Sequence, residues 1–192
     1  LYLLLGIIIF NIFQQATTEA TSVIYGYSGQ IKSIKMPIES FIVSIILKNL
    51  FSHIFEITML IVFLIFFKIS VMGMIFYPLI FFFLAIFTIG VSLILSSLTV
   101  FLRDLVNIWA FASRLLWLAT PIFYAVGGQT KLLVFNLFNP LYYFISVARD
   151  LIVYFRIPPL WMVTGMMGYS LLSLIVGLMV FNMLKKKFAE LI

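Results

Sequence analysis

Lys48, Ser52 and Glu56 recur at intervals of four in this 192-residue chain, with Asn49 and His53 beside them. On a helix that spacing gathers five polar side chains on one face. The flanking residues are apolar, and an ionisable group inside an apolar helix marks a functional position, here a proton relay or the polar wall of a pathway. The plainer alternative is a Lys48–Glu56 pair on a helix end that projects beyond a bilayer. Either way the face is expected to avoid lipid. Thr88, Ser92 and Ser96 also repeat every four residues, and such small residues let another helix approach closely. Arg103 and Asp104 follow a long apolar run, where Asp104 suits the N-cap of a new helix and Arg103 an interfacial anchor. Lys32 and Lys35 precede Pro37, which ends or restarts a helix. Both basic segments are also candidate docking elements for a motor subunit. Near the other end of the apolar runs lie Phe123, Tyr124, Phe135, Phe138, Tyr142, Tyr143, Phe144, Tyr154 and Phe155. Such rings form an interfacial belt by default, but aromatic faces with nearby hydroxyls also suit sugar rings.

Several chemistries are excluded or weakened at once. The chain has no cysteine and one histidine, so disulfides, thiolate metal sites, a cysteine nucleophile and a histidine metal cluster are ruled out within it. No GxxxxGK[ST] stretch occurs; Gly127-Gly128-Gln129-Thr130-Lys131 has neither the spacing nor the following Ser or Thr. ATP binding by a P-loop is therefore not expected in this chain. Energy would come from an ion gradient or a separate subunit. The six acidic residues are scattered through the sequence, which weakens a membrane-embedded transferase. The formal charge of +6 does not imply nucleic acid, because the basic residues lie mostly at the ends of apolar runs.

The elements that must position these residues are membrane helices. With 65% hydrophobic and 9% charged residues and a mean hydropathy of +1.25, the polar surface is too small to cover a water-facing core. Five runs approach the roughly 20 residues a spanning helix needs: 1–17, 38–67, 72–100, 105–125 and 160–184. Between the last two, residues 132–138 and 141–155 form shorter apolar pieces separated by Asn139-Pro140, expected as re-entrant or interfacial helices. The fold class is thus an all-α integral membrane bundle, a single transmembrane domain over residues 1–192. The gaps 31–37 and 101–107 and the C-terminus carry six Lys and Arg residues, against four in the alternate gaps. That bias places the first set in the cytoplasm and residues 131–159 outside. An odd number of spans with a cytoplasmic C-terminus then leaves Leu1 outside, as in a six-span protein lacking its first span.

Four motifs in fixed order carry a resemblance: Ile31-Lys32-Ser33-Ile34-Lys35-Met36-Pro37, Phe101-Leu102-Arg103-Asp104-Leu105, Pro121-Ile122-Phe123-Tyr124, and Asn139-Pro140-Leu141 followed by Arg149. Together they span most of the chain, which resembles the membrane subunit of ABC-2 type polysaccharide exporters, the permeases of O-antigen, teichoic acid and capsule export. The resemblance implies a homodimer around a lateral channel in the cytoplasmic membrane, among membrane lipids. It implies a separate nucleotide-binding ATPase subunit that holds ATP and magnesium, with no cofactor in this chain, and a lipid-linked glycan as cargo. Lys32, Lys35, Arg103 and Asp104 would couple to the ATPase. Residues 131–155 would form the external gate, with Phe123, Tyr124, Asn139, Pro140, Tyr142, Tyr143 and Arg149 along the glycan path or gate. No catalytic residue is implied. Against that family's pattern, which begins with an amphipathic helix and a further span, this sequence is expected to be either a fragment or an atypically short member. Three rivals remain on the residues alone: an ABC-2 permease for drugs or lipids, a sugar transferase, and a secondary transporter built on the Lys48 to Glu56 face.

Overall fold

A computed structural model describes residues 1–33, 38–126 and 130–188. They form helices α1 (Tyr2–Gly26), α2 (Ser28–Ser33), α3 (Ile38–Phe66), α4 (Tyr77–Phe101), α5 (Leu105–Ala119), α6 (Thr130–Leu137), α7 (Pro140–Ile152) and α8 (Leu160–Leu184), with 3-10 turns at Met72–Phe76 and Lys185–Lys187. No strand occurs among the described residues, and the molecule is an all-α membrane bundle. Four helices, α1, α3, α4 with its preceding turn, and α8, are long and apolar enough to cross a bilayer.

Two expected boundaries move. The first run does not stop at Thr17, because α1 continues to Gly26 through a polar stretch. The run 105–125 yields only the 15-residue α5, which rises about 22 Å against a hydrocarbon core of about 30 Å. Its end has a local cause: Thr120 precedes Pro121 and turns extended (ψ 138°), as steric conflict with a proline ring requires. The Asn139-Pro140 break acts as expected. Asn139 caps α7, its side chain accepting from the Leu141 N–H at 3.1 Å, and Pro140 opens the helix. The axes of α6 and α7 meet at 112°, and neither is long enough to span.

The ends of the described helices fall into two groups. At one end Tyr25 donates its hydroxyl to the Val100 carbonyl (2.9 Å), Lys185 pairs with Glu39 (2.8 Å), and Phe188 packs on Phe181 and Phe101. At the other end Tyr2 donates to the Tyr124 carbonyl (2.9 Å), and Gly73 lies against Leu151 and Ile152. The core is divided the same way. One half gathers Ile9, Phe10, Phe13, Phe87, Phe144 and Met166; the other gathers Ala16, Ala20, Ile42, Ile45, Leu93 and Phe181.

Lipid tails are as apolar as leucine, so helix association in a bilayer depends on close packing and hydrogen bonds. The most extensive pairing, α4 with α8, shows both. Gly90 and Gly177 bring the two backbones together, with a Cβ on Gly177 falling 2.9 Å from the Gly90 Cα. Ser170 and Ser173 donate across the interface to the carbonyls of Phe83 and Phe87, each at 2.9 Å. Thr88, Ser92 and Ser96 are fully enclosed, as their packing role requires.

α3 contrasts with this. Its buried stripe runs Ile42, Ile45, Ile46, Asn49, His53, Leu60, Leu64, apolar at both ends and polar in the middle, while most of its circumference is exposed. It closes with Lys68 in the left-handed region (φ 55°), the Ile69 N–H reaching the Leu64 carbonyl at 2.9 Å.

Candidate functional site

A row of polar side chains follows one face of α1 at helical spacing: Asn11, Gln14, Gln15, Thr18, Glu19 and Ser22. None of these is buried, whereas the opposite side of α1 is. Helix α5 flanks the row near its middle. Gln14 Nε2 donates to Ser113 Oγ (3.4 Å) and Trp109 Nε1 to Thr17 Oγ1 (3.2 Å), while the Phe13 ring meets Trp109 edge-on. A cavity of about 270 Å³ opens there between Ile7, Asn11, Gln14, Arg114 and Trp117. Phe123, half exposed, extends it with its ring 4.7 Å from Trp117, edge to face. Further along α1 a second cavity of about 760 Å³ is lined by Glu19, Ser22, Tyr27, Ser44 and Lys48. The Lys48–Glu19 ion pair (2.9 Å) spans it from α3 to α1. Amides, hydroxyls, the Lys48–Glu19 ion pair, the Arg114 guanidinium and indole rings thus line one side of the bundle.

The five-residue polar face of α3 is split. Asn49 and His53 are buried, Lys48 and Ser52 are exposed, and Glu56 is intermediate. Lys48 reaches Glu19 rather than Glu56. His53 Nδ1 lies 3.0 Å from Glu56 Oε2 and its Nε2 2.6 Å from the Tyr77 hydroxyl of α4, with the ring stacked on Phe81. The two expected partners therefore serve different neighbours: Lys48 faces α1, and the His53–Glu56 pair faces α4.

Two of the three tyrosine path candidates spend their hydroxyls on the backbone. Tyr124 donates to the Ala119 carbonyl (2.6 Å) and meets Asn136; Tyr143 donates to the Leu137 carbonyl (3.0 Å), its ring filling the space beside Gly165 against Trp161 and Tyr169. Asn139 donates to Thr120 Oγ1 (2.9 Å), tying the α6–α7 break to the end of α5. Arg149 is 4% exposed and joins three segments. Its Nη1 donates to the Pro121 carbonyl (2.6 Å), its Nη2 to Ile122 (2.9 Å), and both Nε and Nη2 to Tyr2, whose ring centre lies 3.4 Å from the guanidinium carbon. Tyr142 and Arg149 meet at one cavity, whereas Tyr143 belongs to the α8 side and Phe123 to the α1–α5 groove.

At the basic end, Arg103 and Asp104 are both exposed. Arg103 stands 5.4 Å over the Tyr25 ring, an anchoring contact. Asp104 occupies the N-cap of α5 but caps with its backbone: its carbonyl accepts from Asn107 and Ile108 at 3.0 Å, and its side chain makes no capping bond. Lys35 lies outside the described residues, and so does the side chain of Lys32.

Sequence reasoning did not single out Asn11, Gln14, Glu19, Trp109, Arg114 or Trp117. The signal was present in the polar recurrence at 11, 14, 18 and 22, which keeps helical period beyond the point where hydropathy alone ends the span.

No family model matches the chain. Two curated relatives, both O-antigen export system permease protein RfbA from Klebsiella pneumoniae, are 34% and 33% identical to it over 117 residues, 56% of this chain. The alignments take in 41% of each relative's own length. The resemblance read from the four motifs and these relatives point to the same kind of membrane permease.

Proposed function

We propose that this chain is membrane-spanning permease sequence of an ABC exporter that moves a lipid-linked polysaccharide, of O-antigen, teichoic acid or capsule type, across the cytoplasmic membrane. A separate ATPase subunit supplies the energy, and two copies of the permease enclose the path. The observation that carries this reading is the polar row on α1. A bilayer-spanning helix does not present six amide, hydroxyl and carboxylate side chains to lipid, so that face lines a pathway or meets another protein surface.

The chemistry of the row suits a glycan. Asn11, Gln14, Gln15, Thr18 and Ser22 match the donors and acceptors on the edges of sugars, and Trp117 and Phe123 match their apolar faces. The charges along it are the Lys48–Glu19 pair and Arg114, so the wall is hydrated and mostly neutral. The end holding Arg103, Asp104 and the Lys185 to Lys187 cluster is the more basic one, the pattern of a cytoplasmic surface. Exposed Arg103 and Asp104 are accessible there for docking the ATPase, and the sequence motif that holds Lys32 and Lys35 is the second proposed docking element.

The test uses the full-length protein with its ATPase. Asn11→Leu with Gln14→Leu should abolish glycan export while the ATPase still co-purifies in stoichiometric amount. Arg103→Ala with Asp104→Ala should lose the ATPase itself. Undiminished export in the first variant would overturn the path, and altered drug resistance with unchanged glycan flux would favour a drug permease.

A further inference from the structure

The third cavity, about 280 Å³, lies at the end of the bundle away from the basic surface, between the start of α1, the segment after α5, α7 and the start of α8. Its lining includes Tyr2, Tyr142, Ser146, Arg149, Tyr154 and Arg156. Two guanidinium groups therefore face one carboxylate, Asp150. That carboxylate is already taken. Phe155 in the left-handed region (φ 51°) turns the chain back so that Arg156 donates its backbone N–H to the Asp150 carbonyl (2.9 Å) and its Nε to Oδ1 (2.7 Å).

Arg149 is left with carbonyls and a ring face. Among the described residues no carboxylate lies within ion-pairing distance of it. A buried cation held only by neutral acceptors is incompletely compensated, and four bonds to carbonyls leave one of its five N–H groups over. The hydroxyls of Tyr142, Ser146 and Tyr154 add polar atoms to the same walls. The surroundings are apolar: Phe138, Phe155, Ile157 and Leu160 are exposed at this end, and Trp161 lies beside them, as at a membrane surface. The volume is too small for an oligosaccharide and matches a single anionic headgroup.

We infer that this cavity binds an anionic phosphoester at the outer membrane surface, with Arg149 as the cation that lacks a carboxylate and Arg156, paired with Asp150, at its edge. The site is separate from the α1–α5 groove, and it stands whether or not that groove carries a glycan. Bound there, the anion would complete the charge of Arg149 and hold α1, α7 and the segment after α5 together.

The test is thermal unfolding of the full-length protein in dodecyl maltoside and phosphate-free buffer. Phosphatidylglycerol, glycerol 3-phosphate and glucuronate are titrated in turn at constant ionic strength. A saturable rise in Tm with a phosphoester is expected. A rise with phosphatidylglycerol at far lower concentration than with glycerol phosphate assigns a lipid headgroup; equal potency assigns a soluble phosphoester. Ala125→Glu, at the exposed rim, places a carboxylate in the cavity and should abolish the shift while keeping the ligand-free Tm. Should that variant fail to fold, Ser146→Ala should weaken binding about tenfold. No saturable response to either phosphoester, an unchanged response in Ala125→Glu, or a response to glucuronate alone would overturn the assignment.

Discussion

Adding one methyl group at Gly90 should separate the two helices that hold the bundle together. A Cβ at that position would fall on the Ser173 backbone and Oγ well inside the 3.0 Å limit of real Cβ contacts. The helices would have to part by on the order of 1 Å to restore van der Waals distance. Parting them stretches the Ser173–Phe87 and Ser170–Phe83 hydrogen bonds, each worth about 0.6 kcal/mol between membrane helices. Overpacking adds about 1–3 kcal/mol, and the better helix propensity of alanine returns at most about 1 kcal/mol. Gly90→Ala is therefore expected to lose about 1–3 kcal/mol. Gly168→Ala supplies the control on the partner helix α8, since nothing lies within 4 Å of its Cβ; it should be neutral or stabilising. Gly90→Ala with Gly177→Ala should cost less than the sum, because both methyls open one contact. Reversible unfolding in mixed micelles, followed by tryptophan fluorescence, reads the wild type, the three single variants and the double variant. Equal stability of Gly90→Ala and Gly168→Ala would refute the reasoning.

Arg149→Lys keeps the charge but loses the fork that spans Tyr2, Pro121 and Ile122, and should cost about 3 kcal/mol in the same assay; wild-type stability would show that the fork is not structural. His53→Phe strands the Tyr77 hydroxyl and the Glu56 carboxylate and should cost about 1–3 kcal/mol. His53→Gln, able to hydrogen-bond to one of them, should recover part of that loss, and a Phe variant as stable as the Gln variant would remove the bridge. Glu19→Gln breaks an exposed ion pair and should change stability by no more than about 1 kcal/mol, yet it alters the wall of the larger cavity, so export by the full-length protein should fall more than stability does.

Much of the helix layout was legible because its causes are local. Apolar runs set α3, α4 and α8, and Asn139-Pro140 set the break between α6 and α7. Hydropathy misplaced the end of α1, since Gln14, Gln15, Thr18 and Glu19 read as a loop when summed but keep helical period when placed on a wheel. The run 105–125 overshot α5 because the Thr120-Pro121 step, and not hydropathy, ends it. The polar face of α3 failed for a geometric reason. Positions four apart advance by about 40° on a helix of 3.6 residues per turn, so Lys48 and Glu56 diverge by about 80° and find different neighbours. Asn49, His53 and Glu56, stepping by four and then three, stay in register with α4. The Tyr124 and Tyr143 hydroxyls return to carbonyls only five and six residues earlier, but across the Thr120-Pro121 and Asn139-Pro140 breaks, where no helical period predicts the bond.

The unequal ways in which α3 and α8 are attached to α4 bear on where this subunit can yield. α8 is locked at backbone distance, where a slide of one residue would drive side chains into the opposing main chain, so α4 and α8 travel as one body. α3 is instead fastened at points: Glu39 to Lys185, Lys48 to Glu19, and His53 to Tyr77. The first two are exposed pairs that release at about 0–1 kcal/mol each, and between the points much of its surface touches no other part of the chain. Parting α3 from the bundle therefore breaks its buried stripe and these points but no contact at backbone distance, and it would unseal the side of the bundle where the larger α1 cavity lies.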